Sequence, residues 1–511
     1  MAKENSADLN RSVTIDIREI PNDFYGLGLE PWMIHRVPRK LRKVNESAYT
    51  PQLISIGPYH HGSPDLHAME SRKQKYYAEF CKRVNKDEAD LKSFIQIFIR
   101  KIRNSYEEET IKSPGTTQGL DEEVFEEMVL RDACFIVELL LRNYDEEARK
   151  KDYILHTPWL RKAIKLDLIL LENQLPFFAL KELYNHVIRP WPLFPTQEPK
   201  CNDVSTSSAD TTSSNDNPPV LSCNCVLGPA SFTCCSLPKF DKREAQTKNP
   251  TSGENSNSHI HPLVELSSFF FEEHFLMTDS ASRVNLNDIK DIKHFTDLLR
   301  QFWLPREIMS DKKTFHGDIA EQKYLYTATK LDTAGVTFAP ARKERSATDL
   351  KIFKKPVLKF VPAINCMLLK IPELKIEDDT ECLLRNVMAL EQCAYPAEDY
   401  ICGYVALMDQ LINTRDDVDF LVEKKILTNL LGSSKEAAKL FNGLCCQIPR
   451  DKSYYARFYN ELNAFYENRW NVTRATLKKV YFKDLWTGSS TVVGLFVLLF
   501  TISATTRKVY F

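Results

Sequence analysis

The stretch from Phe125 to Leu139, FEEMVLRDACFIVEL, sets the reading of the whole chain. Phe125, Met128, Asp132, Phe135 and Leu139 recur at three- and four-residue steps. A helix turns every 3.6 residues, so these positions share one face. The face is apolar except for Asp132. Outward from it, residues from about 34 to 195 keep mostly helical periodicity. Residues 161–186 read as a second apolar helix, interrupted at Pro176, whose ring cannot donate to the preceding turn. Helical patterns return at 262–276 and 287–303, and again from about 380. Between them, AGVTFA, LKIF, VLKFV and MLLKIPELKI are rich in β-branched and aromatic residues and punctuated by Pro, which predicts short strands over 334–376. Glycine agrees with helix: 15 of 511 residues is about 3%, against a usual ~7%. So little glycine disfavours turn-rich all-β folds and phosphate-cradling loops. The expected class is mainly α with a small β element near 334–376, arranged as a two-lobed helical body plus one C-terminal transmembrane helix.

Composition then divides the chain. Residues 1–33 are polar and read as a flexible segment, and 34–196 as a helical N-terminal lobe. Residues 197–260, with KCNDVSTSSADTTSSNDNPP and TKNPTSGENSNSH, cannot bury enough apolar surface to offset their ordering entropy, and read as a disordered insertion. Residues 261–484 form the second lobe, 485–506 the transmembrane helix and 507–511 a short tail. Lys plus Arg is 68 and Asp plus Glu is 69. That balance argues against a chain-wide nucleic-acid or anionic-surface binder. Thirteen cysteines, an odd number with no C-x-x-C pair, read as reduced thiols in a reducing compartment. The first residues lack the apolar run of a secretory signal.

Leu485 to Thr506, LWTGSSTVVGLFVLLFTISATT, holds no charge. About 20 helical residues cross a ~30 Å hydrocarbon core. Val492, Val493, Leu495, Phe496, Val497, Leu498, Leu499, Phe500 and Ile502 supply the apolar surface, and Trp486 and Tyr481 sit where an interfacial aromatic belt belongs. With so few residues after it, the span reads as a tail anchor that leaves the body in the cytosol. Flanking charge does not settle its orientation: three Lys and one Asp precede it, one Arg and one Lys follow.

Catalytic signatures are sparse. Gly57 and Gly62 have the spacing that opens a phosphate loop, but Ser63 and Pro64 follow where Lys and Ser/Thr are required. Neither G-x-G-x-x-G, H-E-x-x-H nor G-x-S-x-G occurs. Cys201, Cys223, Cys225, Cys234 and Cys235, with His259 and His261, have spacers too short for a structural zinc site, so no metal or cofactor is expected. The sharpest local feature is Ile54-Ser55-Ile56-Gly57-Pro58-Tyr59-His60-His61-Gly62, followed by Met69, Glu70 and Lys73. His60, His61 and Glu70 are weak acid/base candidates; the competing reading is a tight Gly-Pro turn. Polar residues also sit inside apolar runs: Asp132, Glu172-Asn173-Gln174, Arg385-Asn386 and Glu391-Gln392. Buried polar groups need partners, so a structural network is expected in which Glu172 or Asp132 pairs with Arg385 or Arg36. Tyr455, Phe458, Tyr459, Leu462, Phe465, Tyr466 and Trp470 form an aromatic stripe at helical spacing, read as core. The seven basic residues within 342–359 read as solvated strand faces.

The same residues resemble the plant family known as domain of unknown function 247, also called UPF0481. The resemblance runs through Ile34-His35-Arg36-Val37-Pro38, Leu41-Arg42 and Asn45, then Ser55 to Gly62 with Met69-Glu70 and Lys73. It continues through Leu171-Glu172-Asn173-Gln174-Leu175-Pro176-Phe177-Phe178, Ala328-Thr329 with Ala334-Gly335-Val336, Arg385-Asn386 with Glu391-Gln392, and Tyr481-Phe482 with Trp486. It spans roughly residues 34–502. Ala133 departs from the pattern, where the family usually has Gly. The resemblance implies a largely helical body with a single C-terminal span, and brings no established activity or catalytic residues. Some grass relatives are associated with self-incompatibility as pollen-side recognition determinants. By that likeness, a non-enzymatic recognition or signalling role toward an unidentified protein partner is expected, with a membrane-tethered enzyme, such as a hydrolase, as the alternative.

Overall fold

The computed structural model describes residues 34–107, 120–188, 260–272, 291–305, 320–321, 324–341, 348–358, 361–449, 452–481 and 485–510, with the isolated positions 286, 289 and 346. The N-terminal segment 1–33, the insertion and its five cysteines lie outside the described residues. Met1–Trp191 and Ile260–Phe511 belong to one compact unit, and Pro192–His259 to another.

The body is mainly helical, with a small β element. Its centre is the helix Glu122–Tyr144. Phe125, Val129, Phe135 and Leu139 are fully buried there. Helices His67–Val84, Glu88–Arg103, Phe177–Ile188 and Pro262–Phe271 pack against it. Local chemistry sets several helix starts. The Asp87 carboxylate accepts from the Asp90 N–H, and that of Asp152 from Ile154 and Leu155. Thr414 and Asp417 form a reciprocal capping box, satisfying donors that the first turn leaves open. The helix expected over 161–186 is corrected. Pro158–Asp167 ends nine residues before Pro176, and residues 168–176 are turns and extended chain. The buried amides of Asn173 and Gln174 hold those turns.

Strands fall within 334–376 as alternation and Pro predict, but VLKFV (357–361) is not a strand of its own: Leu358 ends one strand and Val361, paired with it, begins the next. Val336–Pro340 runs parallel to Val361–Ile371, which pairs antiparallel with Lys351–Leu358 on its other side. Leu374–Ile376 pairs parallel with Leu427–Asn429. The last of these strands belongs to a stretch not read as β from the sequence.

Segments on either side of the insertion share a core. Val37, Leu41, Ala48, Tyr49 and Leu171 pack with Ala389 and Leu390 of the helix Thr380–Ala394. At the mouth of the insertion, His261 Nε2 lies 2.9 Å from Asn185 Oδ1, and its ring meets Tyr184 edge-on at 5.5 Å.

The aromatic stripe is core only in part. Tyr455, Tyr459, Leu462 and Phe465 are buried, but Trp470 is 82% exposed. Beyond it, Leu485–Tyr510 forms a 26-residue helix. Its stretch Ser489–Thr506 is long and apolar enough to cross a membrane, and none of it is buried against the body. The Trp486 side chain lies outside the described set.

Candidate functional site

The motif around Gly57 is an irregular chain segment placed inside the body. Pro51 and Ile54–Tyr59 are buried, so their backbone groups must find partners within the protein. Side chains supply them. The Asp167 carboxylate accepts from the N–H groups of Gln52, Leu53 and Ile54 at 2.9, 2.7 and 2.9 Å. Asn173 accepts from the Ile56 N–H at 2.7 Å and donates to the carbonyls of Ile54 and Asp167. Asp132 accepts from the Gly57 N–H at 2.9 Å. Gln174 donates to the carbonyls of Leu168 and Leu170 and accepts from the Phe295 N–H. Asn386 bridges the two halves of the sequence: it accepts from the Leu171 N–H at 2.9 Å and donates to the Ala48 carbonyl at 2.7 Å. Gly57 fits because its φ is +70° and a Cβ there would meet the Gln174 carbonyl oxygen at 2.5 Å.

The charges are paired, but not as expected. Asp132 does not meet Arg36 or Arg385. Its carboxylate lies 2.7 Å from Lys73 Nζ, and both side chains are 1% exposed. Lys73 also meets Glu70 at 2.7 Å, one helical turn before it, and the Ser55 hydroxyl at 3.5 Å. Glu172 pairs with Arg42 instead, lies 3.6 Å from His60 Nε2, and accepts from the Val37 N–H. Arg385 pairs with Glu381 at 2.8 Å and donates to the Gly443 carbonyl. The Arg36 guanidinium stacks over Tyr59 at 4.7 Å. Glu391 meets the buried Arg300 at 3.0 Å and accepts from the N–H groups of Ile401 and Cys402, satisfying the start of the helix Tyr400–Leu411. Gln392 is half-buried beside it. The expected partners failed for a geometric reason. Arg42 and Lys73 occupy the places beside the two carboxylates, while Arg36 lies over Tyr59 and Arg385 is held by Glu381. Arg42, Lys73, Asp167 and Arg300 were not assigned to the network from sequence. Arg42 and Lys73 stand inside quoted motifs, whereas no local pattern marks Asp167 or Arg300.

Electrostatics follow burial. Burial pushes the Asp132 carboxyl up, and Lys73 and the Gly57 N–H pull it back only in part. Glu391 is also raised by burial, against Arg300 and its two N–H donors. Burial drives Asp167 up to about 6 despite three backbone donors. Glu172 goes the other way: burial raises it, but His60, Arg42 and the Val37 N–H outweigh burial and leave it below the ordinary carboxylate range.

The three acid/base candidates are not brought to one point. Glu70 faces Lys73 and Ser55, whereas His60 faces Glu172. The histidines sit in a turn closed by bonds from His61 N–H to the Pro58 carbonyl and from Ser63 N–H to the His60 carbonyl. An open depression of about 490 Å³ lies elsewhere, lined by Asn413, Thr414, Arg415, Lys435, Lys439 and Asn442 among others. Among the described residues no group of His, Cys, Asp and Glu is placed to hold a metal.

The family model described as a plant protein of unknown function, DUF247, matches residues 34–500. The chain belongs to this family. DUF247 relatives in Arabidopsis thaliana carry the family's other label. The chain is 26% identical over 502 residues to UPF0481 protein At3g47200, covering 94% of this chain and 86% of the relative. It is 24% identical over 489 residues to putative UPF0481 protein At3g02645, covering 89% of this chain and 85% of the relative. No solved structure matches. The motifs that carry the DUF247 resemblance are thus, in this chain, largely the donors and acceptors that hold one buried segment in place.

Proposed function

We propose that this DUF247 protein is a membrane-anchored, non-enzymatic recognition or signalling protein, whose helical body binds a protein partner while its C-terminal helix holds it in a lipid bilayer. The observation that carries this reading is how the motif residues are used. Asp132, Glu172, Asn173, Gln174 and Asn386 spend their polar atoms on buried backbone, and the two carboxylates also on Lys73 and Arg42. Glu70 is tied to Lys73, and His60 to Glu172. A catalytic group must reach a substrate atom within hydrogen-bond range, and these face inward to structural partners. A rigid body with exposed aromatics suits binding: Trp159 is 63% and Tyr153 58% exposed, and Trp and Tyr are common anchors of interfaces.

Anchoring supports the same role, because it confines the body to a surface and raises the local concentration of a weak partner. The same proposal places the body on the cytosolic side of the membrane. Proximity labelling from the full chain in plant cells tests the proposal. The expected result is a reproducible protein neighbour, lost when the body is exchanged for an unrelated domain on the same anchor. Labelling identical for both would overturn it. The enzyme alternative predicts instead that Glu70→Gln, or His60→Ala with His61→Ala, abolishes the cellular output while neighbours are retained.

A further inference from the structure

The helix Arg469–Tyr481 joins the body to the anchor, with residues 482–484 between. One face of it is fixed to the body. Ala475 is buried, and a Cβ added to Gly335 would come within 3.3 Å of the Ala475 methyl. Gly335 has φ +95°, so this close approach and the turn both favour glycine. The Arg474 guanidinium lies 3.2 Å from Cys366 Sγ, and the Asn471 amide donates to the Phe465 carbonyl at 3.0 Å.

The opposite face is apolar and uncovered. Trp470, Leu477 and Val480 are 82%, 46% and 55% exposed. With Thr473 they follow steps of three, four and three, which trace one narrow stripe. Their sequence context is cationic: Arg469, Arg474, Lys478, Lys479 and Lys483 fall within residues 469–483, and no Asp or Glu does.

We propose that this stripe rests on the bilayer itself, so that Arg469–Tyr481 is an interfacial foot lying against an anionic leaflet beside the point where the anchor enters. The inference rests on reading Leu485–Tyr510 as that anchor. Three observations select lipid over a protein occupant. The stripe ends only four residues before the apolar helix begins, so the chain itself brings it to the membrane surface. Five cations against the single acid Asp484 between residue 469 and the apolar helix complement anionic headgroups. An exposed Trp with Leu and Val beside basic residues is the composition of a helix lying in the interface. The foot is also mounted firmly, through Ala475 on Gly335, so docking it would fix the orientation of the whole body relative to the membrane.

The test uses the full chain, one copy per lipid nanodisc of phosphatidylcholine and phosphatidylserine. Tryptophan emission is compared with that of Trp470→Phe, and the difference isolates Trp470. Its exposure makes that substitution harmless to the fold. Lipids brominated near the headgroup end of the acyl chains are expected to remove about half or more of the Trp470 signal, the depth of an interfacial helix, and lipids brominated at the chain ends much less. A parallel subtraction with Trp486→Phe reports the anchor. If Trp486 is quenched and Trp470 is not, the foot is wrong and the anchor stands; a stripe covered by a protein partner or a second copy gives this result. If the chain does not enter the nanodisc at all, the anchor reading fails and takes the foot with it.

Discussion

Replacing Gly57 by alanine probes the buried segment at its tightest point. The residue sits at φ +70°, and the new Cβ would stand 2.5 Å from the Gln174 carbonyl oxygen and 3.0 Å from the Tyr106 hydroxyl. A left-handed conformation costs a non-glycine residue roughly 1–2 kcal/mol. Forcing a methyl into a packed site adds about 1–3 kcal/mol. The displaced carbonyl would also lose the bond it accepts from Tyr106 at 2.9 Å, worth about 1 kcal/mol net. The sum is about 3–6 kcal/mol. Gly62 provides the control, because its φ is +75° and nothing lies within 4 Å of its Cβ position. Gly62→Ala should therefore cost only the conformational ~1–2 kcal/mol. Urea unfolding of the full chain in mild detergent, followed by intrinsic fluorescence, compares the two midpoints at a common slope. Equal shifts for both variants would refute the claim that the approach to Gln174, rather than backbone conformation alone, demands glycine at 57.

Glu172 has a lowered pKa, so its contribution is present above its ordinary value near 4.5 and is lost as pH falls through the lower folded value. The stability gap between the native chain and Glu172→Gln should thus be largest near neutrality and close in acid; a pH-independent gap would count against the pairing with Arg42 and His60. Removing one member of a buried pair costs about 3–5 kcal/mol, so Arg300→Met should destabilise by that amount in the same urea assay. Adding Glu391→Gln, which keeps an acceptor for Ile401 and Cys402 but drops the charge, should recover part of the loss. A double variant no better than Arg300→Met would argue against a stranded carboxylate. Deleting residues 485–511 should move the protein from the membrane to the soluble fraction in plant cell extracts; unchanged membrane association would sink the anchor.

Periodicity made much of this fold legible. The face running from Phe125 to Leu139 is buried as its spacing required, and the strands over 334–376 follow their alternation. What could not be read locally was pairing. Asp132 could be recognised as a carboxylate on an apolar face, yet its partner Lys73 lies 59 positions earlier on another helix. Arg300 gives no sign in its own neighbourhood that it will meet Glu391. The break after Asp167 was missed because Leu168–Leu171 continues the apolar pattern. What overrides it is side-chain bonding: Asn173 and Gln174 donate to the carbonyls of Asp167, Leu168 and Leu170 in the turn and also bond to Ile54, Ile56 and Phe295 from distant segments. Trp470 was misplaced for the opposite reason. It keeps the helical spacing of the stripe, but the helix Ala456–Glu467 ends before it, and the following helix turns it outward.

The meeting of Asn185 with His261 has a practical use. The described chain stops at Ile188 and resumes at Ile260, and the two flanking segments are clasped to each other by a hydrogen bond and a ring contact. The cost of closing a loop grows only with the logarithm of its length, about 0.6 kcal/mol for each doubling. The body should therefore be nearly indifferent to what is carried there. A fluorescent domain or a labelling enzyme whose own termini lie close together could be spliced between residues 200 and 255, leaving both the buried segment and the membrane end of the protein untouched.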